Sequence, residues 1–550
     1  MARLLPSSIT ALWLCLLLTL TLATRCSNSG NVFVDGHVYF VDADCYSRMT
    51  RVRMVLEHPA TVIRHHDFEN YPQGITPHTT APFDYLVVAT KYGLDFGFRI
   101  LDCFGKHSLW SSQTVDLAGA IVSPLLGMLT VLFLWFWSRR LKLPYRGMLL
   151  TLYAVSPILV HGTLLGRPDH QSLLIFLIAV ALAAEWALGG PVVEAVCSQP
   201  PVEKRACEAQ IRRIYNGWII AGGVAWGLGL WVSLYEPLIL LAGVVLLQIS
   251  FSRHTFFTRE RAFEFGLAAV IFALSIGIEG WRMSAPDATL IHYFQNWQRT
   301  VGELSRLSPF SPLLFRWTGF LLIAAPVLFA LRVRTDKRVI PLLLFVVAVY
   351  GLTLWQARWG YFLALIFAMS LPFQMSAICW RFVAWTMFVL SLWPVAQEWE
   401  RQLYPDETAV ARIAEEQFDQ ACLRDVAEHL KSGVRLPVLA PWWFSPALVY
   451  WSGQPAVGGS SHESLPGIVD SSRFFMMQKP DEALGILHER KVARVVVYDS
   501  DRVVATASTL LGEPVPENPM ARTLDRFPSS APAFLKLEYR NQAFKVFAVE

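Results

Sequence analysis

Four short polar motifs in an otherwise apolar chain carry residues able to do chemistry. The first, VDADCYSRMTR from Val41 to Arg51, sets Asp42 and Asp44 ahead of Tyr46, Arg48 and Arg51. Carboxylates near a bilayer are costly to dehydrate, so they stay solvated, pair with cations or hold a metal. The second, GRPDHQ from Gly166 to Gln171, puts Asp169 beside His170 in a short turn between apolar runs. Alone, Asp169 reads as a helix cap favoured by the helix dipole. Beside Asp44 it reads differently, because two carboxylates carried on separate helices are what a hard divalent cation such as Mg2+ or Mn2+ takes. The third motif, RTVGELSRLSP within 281–312, offers Glu303 either as a further ligand or as an acceptor-side carboxylate on a mobile loop. Its plainer reading is an interfacial loop, with Trp281, Tyr293 and Trp297 in the headgroup belt. The fourth is Arg358 in LWQARWGYF, which either snorkels against Trp355 and Trp359 or clamps a phosphate that its planar fork matches.

The elements that must hold these motifs are membrane helices. Of 550 residues, 54% are hydrophobic and 16% charged, which excludes an ordinary soluble domain. Apolar runs fall near 9–23, 116–138, 147–165, 171–188, 217–233, 236–251, 263–280, 313–332, 339–355, 359–374 and 383–396. That makes about eleven spans, several of them short. Residues 9–23 read as a first helix rather than a cleaved leader, because Arg25 spoils the cleavage site. Basic clusters at 139–146, 204–213, 253–261 and 332–338 occupy alternate connections, which the positive-inside rule makes cytoplasmic. All four polar motifs and the tail then lie outside. Basic residues placed this way report topology, and no nucleic-acid partner is indicated.

Residues 26–115 read as a long outer loop with little helical periodicity, in which His65 and His66 are solvated. The membrane domain spans 1–399. The tail, 400–550, mixes helix-like stretches with strand-like runs at Val492–Tyr498 and around Arg540, and reads as a compact α/β domain. Cys26, Cys45, Cys103 and Cys422 fall outside and are available for disulfides.

In order and common sidedness, the motifs resemble those of the catalytic subunit of oligosaccharyltransferase, within the GT-C superfamily of polytopic glycosyltransferases. DADCYSRMTR resembles the first acidic motif, with Asp44 the better match and Asp42 the other register. GRPDHQ resembles the second acidic motif, TVGE the motif of the mobile loop, and Arg358 the arginine that meets the donor phosphates. Pro441 to Ser464, beginning PWWF, resembles the WWD region. The resemblance implies eleven to thirteen transmembrane helices and a Mg2+ or Mn2+ ion held by Asp44, Asp169, His170 or Gln171, and Glu303. It implies catalysis by Asp44, Asp169 and Glu303, with Arg358, Trp442, Trp443, Tyr46 and Arg48 contacting substrate. The donor would be a polyprenyl-linked sugar, and the acceptor a protein, glycan or lipid at the outer face of the cell membrane. Two departures stand out. Phe444 replaces the Asp of WWD, and Gln171 replaces a Glu. They leave open a non-sequon acceptor or an inactive scaffold. A transporter is disfavoured, because it would place its charges near the bilayer midplane.

Overall fold

The computed structural model describes residues 8–78, 81–103, 110–189, 201–282 and 288–550. Each apolar run is helical. The helices that build the site are α1 (Ser8–Arg25), α2 (Ala43–Glu57), α3 (Ala81–Cys103), α4 (Thr114–Arg140), α5 (His170–Gly189), α6 (Pro201–Val232), α7 (Tyr235–Phe251), α8 (Arg259–Glu279), α9 (Ile291–Thr300), α10 (Ile340–Trp355) and α11 (Gly360–Met375). Among the described residues, four helices are long and apolar enough to cross a membrane singly: Ser111–Arg140, His170–Leu188, Arg259–Glu279 and Lys337–Trp355. Pro312–Thr318 and Leu321–Thr335, bent by 67°, make a fifth span if counted together. The bend falls at Gly319, whose φ of +78° and packing on Ser391 leave no room for a side chain, since an added Cβ would lie 2.7 Å from the Ser391 carbonyl oxygen. Three further apolar helices, Thr10–Arg25, Arg146–Val155 and Tyr235–Phe251, are shorter, so among the described residues length alone does not reach the expected eleven to thirteen spans. The side chains of Lys204, Arg205, Arg212 and Arg213 lie outside the described residues, as do 283–287 of the expected mobile loop.

The segment 26–115 differs from the expected outer loop, since it contains α2 and α3, of 15 and 23 residues. Their periodicity is hidden because the buried face of α2 is partly polar and includes Ser47, Arg48, Thr50 and Arg51. Asp84 of α3 satisfies that face, accepting from Arg48 at 3.0 Å and from Arg51 at 3.2 Å. His66, expected to be solvated, is buried within this segment, where its backbone pairs with Ile75. Cys26, Cys45, Cys103 and Cys422, expected to be available for pairing, form no disulfide.

Beyond residue 437 the chain builds a mixed sheet. Numbered after the short hairpin β1 (Phe33–Val34) and β2 (His37–Val38), its strands are β3 (Val438–Leu439), β4 (Arg494–Val497), β5 (Leu535–Arg540) and β6 (Lys545–Val549), in the order β3-β4-β6-β5. β3 runs parallel to β4 and the other pairs are antiparallel. Val38, Phe40 and Met49 share one buried apolar cluster with Leu439, Val495 and Phe547, so this sheet and the first segment pack as one body. A second cluster holds the apolar helices together.

Candidate active site

Two backbone clasps set the site. Val41 N–H donates to the Gly166 carbonyl at 3.0 Å, joining the first acidic motif to the second. Gly166 sits at φ +73° and its own N–H donates to Ala120 of α4, which fixes the turn leading to Asp169. Ala357 N–H donates to Ser305 at 2.9 Å, and Leu307 N–H to Leu354 at 3.0 Å, tying the Glu303 segment to the Arg358 segment. The four motifs consequently surround one cavity of about 590 Å3, lined by Asp44, Arg48, Asp169, His170, Gln171, Glu303 and Arg358.

The two aspartates of the first motif divide their work. Asp42 caps α2, accepting from Cys45 N–H at 3.0 Å. Asp44, in the first turn, faces the open cavity although protein surrounds it. Burial, then the charges of Asp42 and Asp169, push its pKa up to about 7. Asp169 accepts from His170 Nδ1 at 2.6 Å.

A guanidinium absent from the expected set stands at the centre. Arg167 Nη2 lies 2.6 Å from Glu303, 3.6 Å from Asp169 and 3.8 Å from Asp42. Its firm bond is to Glu303, and its hold on the aspartates is loose. Tyr361 of α11 also donates to Glu303, at 2.9 Å, while its hydroxyl meets His161 at 2.8 Å. Although burial works against it, Arg167 holds Glu303 below the usual carboxylate range. Arg358 is gripped by the fully buried Glu236, which also accepts from Ser233 at 2.7 Å. Arg167, His161, Tyr361 and Glu236 were not singled out in the sequence. The signal that was available is Arg167 itself, a buried-type cation inside the acidic motif.

Three expected contacts fall elsewhere. Tyr46 is a core residue: its ring packs on Phe40, Tyr450 and Trp451, and its oxygen accepts from Phe40 N–H at 3.1 Å. Trp442 and Trp443 do not line the cavity, and Trp442 meets it only through Trp297, with ring centres 6.3 Å apart. Phe444 turns away and packs on Tyr498 and Phe544 under the sheet.

A hard divalent cation fits these donors chemically. Three carboxylates face a single central guanidinium, the nearby Asp44 is destabilised as an anion, and His170 Nε2 and Gln171 Oε1 are buried without hydrogen-bond partners. Among the described residues, the trio with all ligand atoms within 4.8 Å of one another is His78, His462 and Glu463, not the carboxylates around Asp44.

No family model matches the chain. It is 28% identical over 160 residues to dolichyl-phosphooligosaccharide-protein glycotransferase 1 of Archaeoglobus fulgidus, covering 28% of this chain and 24% of that protein. Glycotransferase 2 of the same organism is 27% identical over 173 residues, covering 31% and 26%. These matches span about a quarter of the length of the curated relatives. The apo oligosaccharyltransferase of A. fulgidus superposes with a TM-score of 0.65 over 98% of this chain and 81% of its own, at 14% identity. ArnT from Cupriavidus metallidurans bound to undecaprenyl phosphate superposes at 0.53 over 99% and 98%, at 12% identity. The fold is GT-C. Its resemblance is to the oligosaccharyltransferase catalytic subunit, and the chain shares the fold of these membrane glycosyltransferases and carries several helices apolar enough to cross a membrane. Within the GT-C frame, the two acidic motifs, the Glu303 segment and Arg358 all border the one cavity, whereas the WWD-like stretch reaches it only indirectly.

Proposed function

We propose that the chain is a GT-C glycosyltransferase moving a sugar or oligosaccharide from a polyprenyl phosphate or diphosphate donor to an acceptor at the extracytoplasmic face. The observation that carries this reading is a cavity with two characters. Its lining holds the charged Asp44, Asp169, Glu303 and Arg358 together with the apolar Leu230, Leu238, Phe272 and Ile276 from helix ends. A lipid-borne phosphate ester needs both, an apolar wall for its chain and fixed charge for its head.

Asp44, Asp169, His170, Gln171 and Glu303 are the residues that would hold Mg2+ or Mn2+. When bound, such an ion offsets the negative charge that builds on a departing phosphate. Arg358 meets the same phosphate oxygens, and Glu236 fixes its fork in place. Arg48 adds positive charge on the cavity wall, anchored by Asp84. Glu303, immobilised by Arg167 and Tyr361, orients the acceptor or completes the ion's ligands. Attack from the face opposite the phosphate inverts the anomeric carbon. Trp297, backed by Trp442 and Trp443, shapes the acceptor side.

Placement outside the cytoplasm is supported by the helix directions. α4 runs toward Arg139 and Arg140, α6 and α8 start among basic residues, and the opposite ends of α6 and α8, with the start of α5, border the cavity. The acceptor is the open half of the proposal. With Phe444 packed under the sheet, no carboxylate stands at the position that would read a sequon hydroxyl, which favours a non-sequon acceptor: another Ser/Thr, a glycan or a lipid. Incubating purified protein with extracted lipid-linked sugars and Mn2+, followed by mass spectrometry of the glycosylated products, tests both halves. Absence of any transfer would leave the inactive scaffold.

A further inference from the structure

We infer that His78, His462 and Glu463 form a second cation site, of zinc class, clipping the first outer segment to the C-terminal sheet body. Their ligand atoms already lie within 4.8 Å of one another. On a single tetrahedral zinc, with bonds of about 2.0–2.1 Å, ligand atoms stand about 3.4 Å apart, so the three need to draw together by little.

The position is built from both sides. His462 and Glu463 lie on a single 3-10 turn, His462–Ser464, held by a reciprocal Ser461–Ser464 capping box. His78 reaches that turn from the first segment: its backbone N–H donates to Glu463 Oε1 at 2.9 Å, and its Nδ1 bonds the same oxygen. The His78 and His462 rings pack 4.7 Å apart, and His462 Nδ1 lies 3.4 Å from Glu463 Oε2. The Glu463 side chain is 5% exposed, yet its Oε2 accepts no hydrogen bond. A buried carboxylate with one oxygen on His78 and the other, without a hydrogen bond, near His462 offers an unfilled ligand position.

Ligand chemistry separates this site from the carboxylates around Asp44. Two imidazoles and one carboxylate suit Zn2+ and its neighbours in the first transition row, whereas an oxygen-rich set suits Mg2+ or Mn2+. Both His residues border the central cavity, so a fourth position is left for water or a cavity-borne group. The clip does not depend on which transfer reaction the cavity performs.

The test uses full-length protein in detergent, stripped with a chelator and titrated with Zn2+ and, separately, with Co2+. Wild type is expected to bind one more zinc than His462→Ala and Glu463→Gln, or to bind it roughly tenfold to a hundredfold more tightly. Glu463→Gln keeps the oxygen that accepts from His78 N–H, so it reports even if His462→Ala fails to fold. The visible absorption of four-coordinate Co2+ should disappear in these variants and persist in Asp44→Asn. Equal zinc binding by wild type and Glu463→Gln overturns the site. So does a Co2+ signal lost in Asp44→Asn and kept in Glu463→Gln, which would assign the ion to the other carboxylates.

Discussion

Arg167 carries most of the electrostatic balance at the residue scale, since one guanidinium faces Glu303, Asp169 and Asp42. Replacing it with Met leaves the buried Asp169 and the partly exposed Glu303 and Asp42 without their central cation, which costs about 1–3 kcal/mol once solvent screening is counted. Arg167→Met is therefore expected to lower the thermal midpoint markedly; an unchanged midpoint would show that solvent already screens these charges. Asp44→Asn should do the reverse. Its carboxylate is raised to about 7 by burial and by like charges, so amidation is expected to abolish transfer while leaving the midpoint unchanged or higher. Phe444 separates a structural role from a recognition role: Phe444→Ala should cost about 2–3 kcal/mol, less than for a fully buried ring, and leave acceptor choice unchanged. A changed acceptor at normal stability would return that position to the site. Residue types made Asp44, Asp169 and Arg358 legible in the sequence, because charge is conspicuous between apolar runs. Their partners were not legible. Arg167 finds Glu303 across 136 residues and Arg358 finds Glu236 across 122, and no local pattern encodes such pairings.

Among the elements, the apolar helices were legible because desolvation alone decides their position, and the runs around Val492–Tyr498 and Arg540 because they alternate as strands do. Helices α2 and α3 were hidden, since Arg48, Arg51 and Asp84 bury charge where a periodicity reading looks for apolar residues. Asp84→Ala would remove the carboxylate that both buried arginines share, and a loss of about 3 kcal/mol in unfolding stability is expected, read by denaturant or thermal melts. The loop between these helices carries a pH signature. His66 is buried, both ring nitrogens lack hydrogen-bond partners, and burial, reinforced by Arg51, lowers its pKa to about 3. The unfolded chain binds a proton below about pH 6.5 that the folded chain refuses, so stability is full above that pH and falls progressively toward pH 3. Replacing His66 with Leu should flatten the loss of thermal stability between about pH 6.5 and 5; an unchanged slope would place the titrating group elsewhere.

For the whole molecule, the central question is sidedness joined to chemistry. The cavity opens among helix ends opposite the basic clusters, next to the sheet body that shares its core with the first segment. That sharing was not legible in the sequence, which divides the chain near residue 400, because the contacts joining Phe40 and Met49 to Leu439 and Phe547 span most of the chain. In a cysteine-free background, a membrane-impermeant maleimide is expected to label Lys431→Cys on intact cells, and Lys142→Cys only after permeabilisation. The most direct measurement is release of polyprenyl phosphate or diphosphate from a lipid-linked sugar by purified protein, followed with Mn2+ in wild type, Asp44→Asn and Asp169→Asn. Release that requires Mn2+ and disappears in both variants is the expected result. Equal release by wild type and either variant would contradict a carboxylate-held cation as the centre of this site.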